Sequence, residues 1–253
     1  MYAPERHSHI LGLARTNGRV EVTTLAAELD VTQETIRRDL TALERRGLVR
    51  RVHGGAIPVE RFSTEPAVAE REHTNAPEKD AIALAALREL PTHGSILLDA
   101  GTTTARLAAL IPTDSELVVV THSIVIANIL SRHEKITLHL VGGQVRARTL
   151  AAVGPWSQRA LKTIEVDVAF MGTNGLTVER GLTTPDLEES EVKRAIVAAA
   201  RRVVVLTDHS KIGRNEFITF ADINQVDTLV TDQASEPEIL TELESQGVTV
   251  INA

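Results

Sequence analysis

The run Asp99-Ala100-Gly101-Thr102-Thr103-Thr104 places three consecutive hydroxyls after a carboxylate and a glycine, directly behind the strand-like Ser95-Ile96-Leu97-Leu98. At the start of a helix, such threonines offer hydroxyls and unpaired backbone N–H groups to an anion such as phosphate, and Gly101 lets the backbone come close. The competing reading is a threonine cap on a structural helix. A nucleotide loop is excluded, because no G-x-x-x-x-G-K-[ST] occurs in the chain. Lys211, in Asp208-His209-Ser210-Lys211, would add a second positive contact, although a lone lysine also serves as a solvated surface group.

A different chemistry is written into Thr32-Gln33-Glu34-Thr35-Ile36-Arg37-Arg38-Asp39-Leu40. Ile36, Leu40 and Leu43 recur at helical spacing and form an apolar stripe. At about 100° per residue, Glu34, Arg38, Thr41 and Arg45 fall on the opposite face, flanked by Thr35 and Arg37. An apolar inner face under a basic, hydroxyl-bearing outer one suits a helix in the DNA major groove, where arginines reach guanine edges or phosphates. The bland alternative is a solvated helix whose arginines pair with Glu34 or Asp39.

The elements around this segment support the first reading. A helix runs from Pro4 towards Gly18, with Ile10, Leu11 and Ala14 on one face. "RVEV" reads as a short strand, and "TTLAAELD" as a second helix capped by Thr23 or Thr24. Val31 occupies the turn, Thr32 caps a third helix, and Gly47 follows its end. Two short helices across a tight turn make a helix-turn-helix. "LVRRVHGGA" then forms a strand and Gly-Gly turn, a wing carrying Arg50, Arg51 and His53 to the backbone or minor groove.

Charge follows the same division. Residues 1–56 hold nine arginines against seven acids, although the 253-residue chain carries a net charge of −7. Two modules with different partners account for the split. With 43% hydrophobic residues the chain builds real cores, and its six aromatics argue against stacking-based single-strand or RNA binding. No cysteine is present, which excludes thiol catalysis and the usual zinc patterns. The apolar runs are too short to span a bilayer and no signal-like core precedes the first helix, so a cytoplasmic protein without a membrane partner is expected.

Residues 57–75 contain two proline breaks and read as a linker. From residue 76 onward, strand-like and helical segments alternate: strands at 95–99, 116–121, 136–141, 166–172, 202–208, 227–232 and 248–252. An α/β domain with a mostly parallel sheet is expected over residues 76–253. Its strands end at Asp99, at Thr121-His122-Ser123, at Gly142-Gly143, at Gly172-Thr173-Asn174-Gly175 and at Asp208. Ligands in such sheets bind beyond the carboxyl ends of strands, so these loops are expected to converge.

Residues 5–56 closely resemble the winged helix-turn-helix of the DeoR family of bacterial repressors, most specifically in Thr32–Leu40 and in the His53–Ala56 "HGGA". "DAGTTTARLA", "VVTHS", "VGG", "DVAFMGTNGL", "GLTTPDLEESEVKRA" and "DHSKIGR" are similar to the family's sensor domain, which is related to ribose-5-phosphate isomerase. The resemblance implies a homo-oligomeric regulator that binds double-stranded operator DNA and is released by a phosphorylated sugar, with no cofactor and no metal. It is most similar to regulators of fructose or related sugar operons, with fructose 1-phosphate as the candidate effector. It implies a DNA face of Thr32, Gln33, Glu34, Thr35, Arg37, Arg38, Thr41, Arg45, Arg51, His53 and Gly54. Gly101, Thr102, Thr103 and Thr104 would hold the phosphate. Asp99, Thr121, His122, Ser123, Gly172, Thr173, Asn174, Gly175, Thr184, Asp186, Asp208 and Lys211 would surround the sugar.

Two alternatives stay open. A DNA-tethered isomerase needs a general base. The aspartate pair and Lys-Gly-Gly-Gly segment of the isomerases are replaced here by "MGTNGL" and "RGLTT", so no catalytic residue is assigned, while Asp186, Glu188 and Glu191 remain as bases to test. An activator would differ from a repressor only in operator position.

Overall fold

The structure, a computed structural model, describes residues 3–45, 48–52, 54–58 and 65–253. It divides into two compact units, Met1–Ser63 and Thr64–Ala253.

The first unit comprises α1 (Ala3–Asn17), β1 (Val20–Glu21), α2 (Val22–Glu28), α3 (Gln33–Arg45), β2 (Val49–Val52) and β3 (Gly55–Pro58), with the strands ordered β1-β3-β2. Ile10 and Ala14 of α1, Leu25 of α2 and Ile36, Leu40 and Leu43 of α3 bury one another and Val49 and Ala56 of the hairpin. The stripe predicted for α3 is therefore its inner face. Thr32 caps this helix, its Oγ1 accepting from the Thr35 N–H at 3.2 Å. Neither Thr23 nor Thr24 caps α2: the helix begins directly after β1 at Val22, whose N–H donates to the Gly54 carbonyl at 2.9 Å. The wing backbone does the work that a side-chain cap would otherwise do. The wing's two glycines have separate reasons. Gly54 turns at φ +76°, and a Cβ on Gly55 would lie 2.0 Å from the Val20 carbonyl oxygen.

The second unit opens with α4 (Val68–His73) and α5 (Ala76–Ala86). It continues through β4 (Gly94–Leu98), α6 (Thr102–Leu110), β5 (Leu117–Thr121), α7 (Ile124–Leu130), β6 (Thr137–Leu140), β7 (Gln144–Arg146), β8 (Ala151–Val153), α8 (Pro155–Leu161) and β9 (Val166–Met171). It ends with β10 (Gly175–Thr177), β11 (Gly181–Thr184), α9 (Leu187–Ala199), β12 (Ala200–Leu206), β13 (Ile218–Ala221), β14 (Thr228–Thr231), α10 (Pro237–Ser245) and β15 (Thr249–Asn252). A seven-stranded sheet in the order β15-β14-β12-β9-β4-β5-β6 is parallel throughout. Its strands bury both faces. Ile96, Leu98, Phe170 and Val204 meet Ile82, Leu107 and Ile126 on one side; Leu97, Ala169, Met171 and Val205 meet Leu161, Val192, Ile196 and Leu243 on the other. Unbroken apolar runs are the expected signature of such strands.

Two features depart from the sequence reading. Residues 57–75 do not form one linker, since β3 extends to Pro58 and α4 occupies 68–73 within the second unit. The hairpin β7–β8 and the antiparallel sheet β10-β11-β13 interrupt the strand–helix alternation. Their strands are three or four residues long, too short to carry a visible period.

The strand order locates the site. From β4 the chain builds outward through β5 and β6 on one side, then crosses back to β9 and builds through β12, β14 and β15 on the other. The reversal lies between β4 and β9, and the loops leaving these two neighbours diverge to opposite faces.

Candidate functional site

On the first unit, Glu34, Arg37, Arg38, Thr41 and Arg45 of α3 share one shallow groove with Arg51 of the wing. The Arg38 side chain is 80% exposed and, among the described residues, pairs with Glu34 across the surface, at 3.4 Å. Such a pair holds a side chain loosely and leaves its charge available. Arg51 links the wing to the helix through the Thr41 hydroxyl at 3.2 Å, while Arg37 donates to Gln33 Oε1 at 3.1 Å. Gly54 is exposed at the wing turn, and His53 lies outside the described residues. Asp39, sharing this helix, points inward instead. Arg6 of α1 grips it with Nε and Nη2 at 2.5 and 3.1 Å, and His7 Nε2 lies 2.9 Å away. Burial alone would raise the Asp39 carboxyl, but Arg6 and His7 hold it below the usual carboxylate range. The aspartate thereby ties the basic helix to its support and is not a partner of Arg37 or Arg38.

On the second unit, the loops after β4, β9 and β12 enclose a cavity of about 150 Å³. Gly101, Thr102, Thr103 and Thr104 line it at the start of α6, with Gly172, Thr173 and Asn174 after β9, and Asp208 and Lys211 after β12. The first turn of α6 has no side-chain cap, since its N-cap is Gly101, so the helix start faces the cavity with its backbone donors. Thr104 turns inward and donates to the Asp99 carbonyl at 2.7 Å.

Several residues expected around a ligand are placed behind the cavity. Asp99 is fully buried, its carboxylate ion-paired with Lys193, accepting from the Gly172 N–H at 3.0 Å and lying 3.0 Å from His122 Nε2. Burial pushes its pKa upward, but the nearby Lys193 ammonium and His122 outweigh this and bring it to about 2. Thr121 donates to the Leu98 carbonyl at 2.8 Å, and Ser123 caps α7 through the Ile126 N–H. These residues lie at the end of β5, away from the strand reversal, and are sealed. Gly142 and Gly143 follow β6 and are likewise outside the cavity. Gly175 packs beneath the Arg214 backbone, where a Cβ would lie 2.5 Å from its carbonyl oxygen. Thr184 orients Asn174 at 3.2 Å, and Asp186 caps α9 and meets Arg146 Nε at 3.2 Å. The three carboxylates kept as candidate bases (Asp186, Glu188 and Glu191) do not line the cavity; Glu189 between them does.

The cavity also gathers cations that were not singled out in the sequence, two of them, Arg71 and Lys79, outside every quoted motif. Arg71, Lys79, Lys193 and Arg214 line it beside Lys211. Lys79 Nζ donates to the Arg71 and Thr74 carbonyls, both at 2.6 Å. Burial lowers its pKa to about 8; Asp208 opposes this, while Lys211, Arg106 and Arg71 add to it. Burial lowers Lys211 as well, aided by Arg214 and Arg71 against Asp208. The cavity thus gathers several cations, with Glu65, Glu189, Asp208 and Glu216 also on its lining. Among the described residues, buried Arg71 Nε and Thr207 Oγ1 have no hydrogen-bond partner, and both residues line the cavity. Buried polar atoms of this kind call for a ligand or solvent partner. The signal for Lys79, Arg71 and Thr207 was absent from the sequence because α4, α5 and the end of β12 meet only in three dimensions.

A basic helix-and-wing face on one unit and a small polar cavity with buried cations in the other are the features of a DNA-binding regulator with a sensor domain. The comparisons agree. The DeoR-like helix-turn-helix domain matches residues 6–62, and the DeoR C terminal sensor domain matches residues 74–233. The HTH-type transcriptional regulator GlpR of Haloferax volcanii is 38% identical over 100% of this chain and 98% of its own. The glycerol-3-phosphate regulon repressor of Escherichia coli K12 is 32% identical over 92% of each chain. Among solved structures, ribose 5-phosphate isomerase A from Methanocaldococcus jannaschii aligns over 55% of each chain with a TM-score of 0.41 and 18% identity. The chain belongs to the DeoR family of transcriptional regulators, and its curated relatives are regulators rather than enzymes. Among the described residues, no helix is long and apolar enough to cross a membrane.

Proposed function

We propose that the protein represses a sugar- or polyol-phosphate operon and leaves its operator when a small phosphorylated carbohydrate fills the second unit's cavity. The observation that carries this reading is the uncapped start of α6 at a cavity that Arg71, Lys79, Lys193, Lys211 and Arg214 also line. A phosphate there accepts from the helix N–H groups and pairs with the cations of the lining. Asn174, Glu189 and Asp208 along the wall suit carbohydrate hydroxyls. Arg37, Arg38, Arg45 and Arg51 engage the duplex, with Thr32, Gln33, Glu34, Thr35, Thr41 and Gly54 beside them. A homo-oligomer presents two such faces to paired half-sites. Fructose 1-phosphate is the candidate effector, and the relative's name makes glycerol 3-phosphate its competitor.

The test is fluorescence anisotropy on duplex DNA from upstream of the protein's own gene, titrated with phosphorylated and free sugars. Tight, salt-sensitive binding released by one phosphorylated compound is expected. Tight binding that no compound changes would reject the cavity's role. Absence of binding would reject the operator assignment and turn attention to isomerase turnover, while operator position relative to the promoter separates repressor from activator.

A further inference from the structure

One wall of the cavity comes from the stretch by which the chain enters the second unit. Glu65, Pro66, Arg71 and Thr74 line the site, although they precede the sheet and its loops in sequence. The body of the unit grips this strap at several points. Arg146 Nη1 donates to Glu65 Oε2 at 2.5 Å and reaches Glu189 Oε1 at 3.1 Å, while Arg148 donates to the Glu65 carbonyl and accepts from the Val68 N–H at 2.8 Å. Farther along, Arg106 donates to the Glu72 carbonyl and Asn75 to Asp208 Oδ1, both at 2.8 Å. Lys79 holds the Arg71 and Thr74 carbonyls from below.

Two strap atoms break this pattern of satisfied contacts. Arg71 Nε and Glu65 Oε1 are buried without a hydrogen-bond partner among the described residues, and Arg71 Nη1 stands 3.6 Å from Glu65 Oε1. One is a donor and the other an acceptor, and Thr207 Oγ1, of a residue lining the same cavity, is also without a hydrogen-bond partner among the described residues. A molecule with an anionic oxygen and a hydroxyl would satisfy both sides at once.

We propose that the strap, residues 65–75, is part of the effector site, and that a bound phosphorylated carbohydrate bridges it to the loops after β4 and β12. An anionic oxygen accepts from Arg71 Nε, and a hydroxyl donates to Glu65 Oε1. This rests on the phosphorylated-ligand reading above. A ligand that touches both strap and body binds the docked strap better than an undocked one, and so shifts that equilibrium. In sequence the strap follows the boundary between the two units, so occupancy acts on the chain segment that leads from the DNA-binding unit.

Hydrogen exchange on the full-length protein tests this, with fructose 1-phosphate, glycerol 3-phosphate and inorganic phosphate as separate probes. With a carbohydrate phosphate, exchange is expected to slow together in residues 65–75 and 101–107, by about fivefold or more. Slowing confined to 101–107 would overturn the strap proposal and leave the phosphate site standing. Slowing confined to 65–75 would overturn the bridge. No slowing with any probe would overturn the phosphate reading and the strap with it. Arg71→Gln provides the second arm: slowing at 101–107 is expected to persist while that at 65–75 is lost, and persistence of both would overturn the assignment of Arg71.

Discussion

The two units handle charge in opposite ways. On α3 the arginines stand exposed with loose surface partners, and the aspartate is buried. In the second unit the lysines Lys79 and Lys193 are buried, and they pair with backbone carbonyls or with the buried Asp99. A polyanion with a long surface is met by solvated, mobile cations, whose affinity comes from counterion release. A small anion competes with water for every contact, so its site gains from cations already desolvated and fixed. Both units anchor the functional element through one buried aspartate, Asp39 under the DNA face and Asp99 behind the cavity. Neither aspartate lines the groove or the cavity in front of it.

The comparison breaks most visibly at Asp99. Asp99→Ala leaves Lys193 buried without its counter-charge and is expected to cost about 3 to 5 kcal/mol. Denaturant unfolding of the second unit would show it, and a loss of ligand binding without loss of stability would contradict the anchoring role. Asp39→Ala is expected to cost about 2 to 3 kcal/mol, because its links to Arg6 and His7 are less fully buried. Operator binding should then fail at a lower denaturant concentration than ligand binding does.

Smaller effects sharpen the contrast. Thr103→Glu puts a negative charge beside the start of α6, and effector affinity is expected to fall about thirtyfold, roughly 2 kcal/mol, with operator affinity unchanged. Arg38→Ala is expected to weaken operator binding by about 1 kcal/mol and to reduce the slope of log affinity against log salt by about 1. Its circular dichroism should match the parent, because the side chain lies opposite the buried stripe. The smallest effect is in pH. The free cavity holds Lys79 at about 8, and a bound anion raises that value. Effector affinity is therefore full below about pH 8 and falls as pH rises through it, by about threefold between pH 7.5 and 8.5. A flat titration across that interval would remove Lys79 from the anion's surroundings.

What could be read from the sequence alone was the local part. Ile36, Leu40 and Leu43 define a helix face whatever surrounds them, and Thr32 caps that helix from three residues away. The parallel strands announced themselves as apolar runs because both faces are buried. Gly101–Thr104 marked one wall of the cavity for the same reason, since a helix start is a property of adjacent residues. Only the tertiary structure decided which strand ends open into the site. The order of strands puts β4 beside β9 and leaves Thr121, His122 and Ser123 sealed after β5. It also recruited Glu65 and Arg71 from the stretch read as linker, and Lys79 from the helix that precedes the sheet. Burial, pairing and mutual repulsion among cations depend on neighbours distant in the chain, and no spacing along the sequence records them.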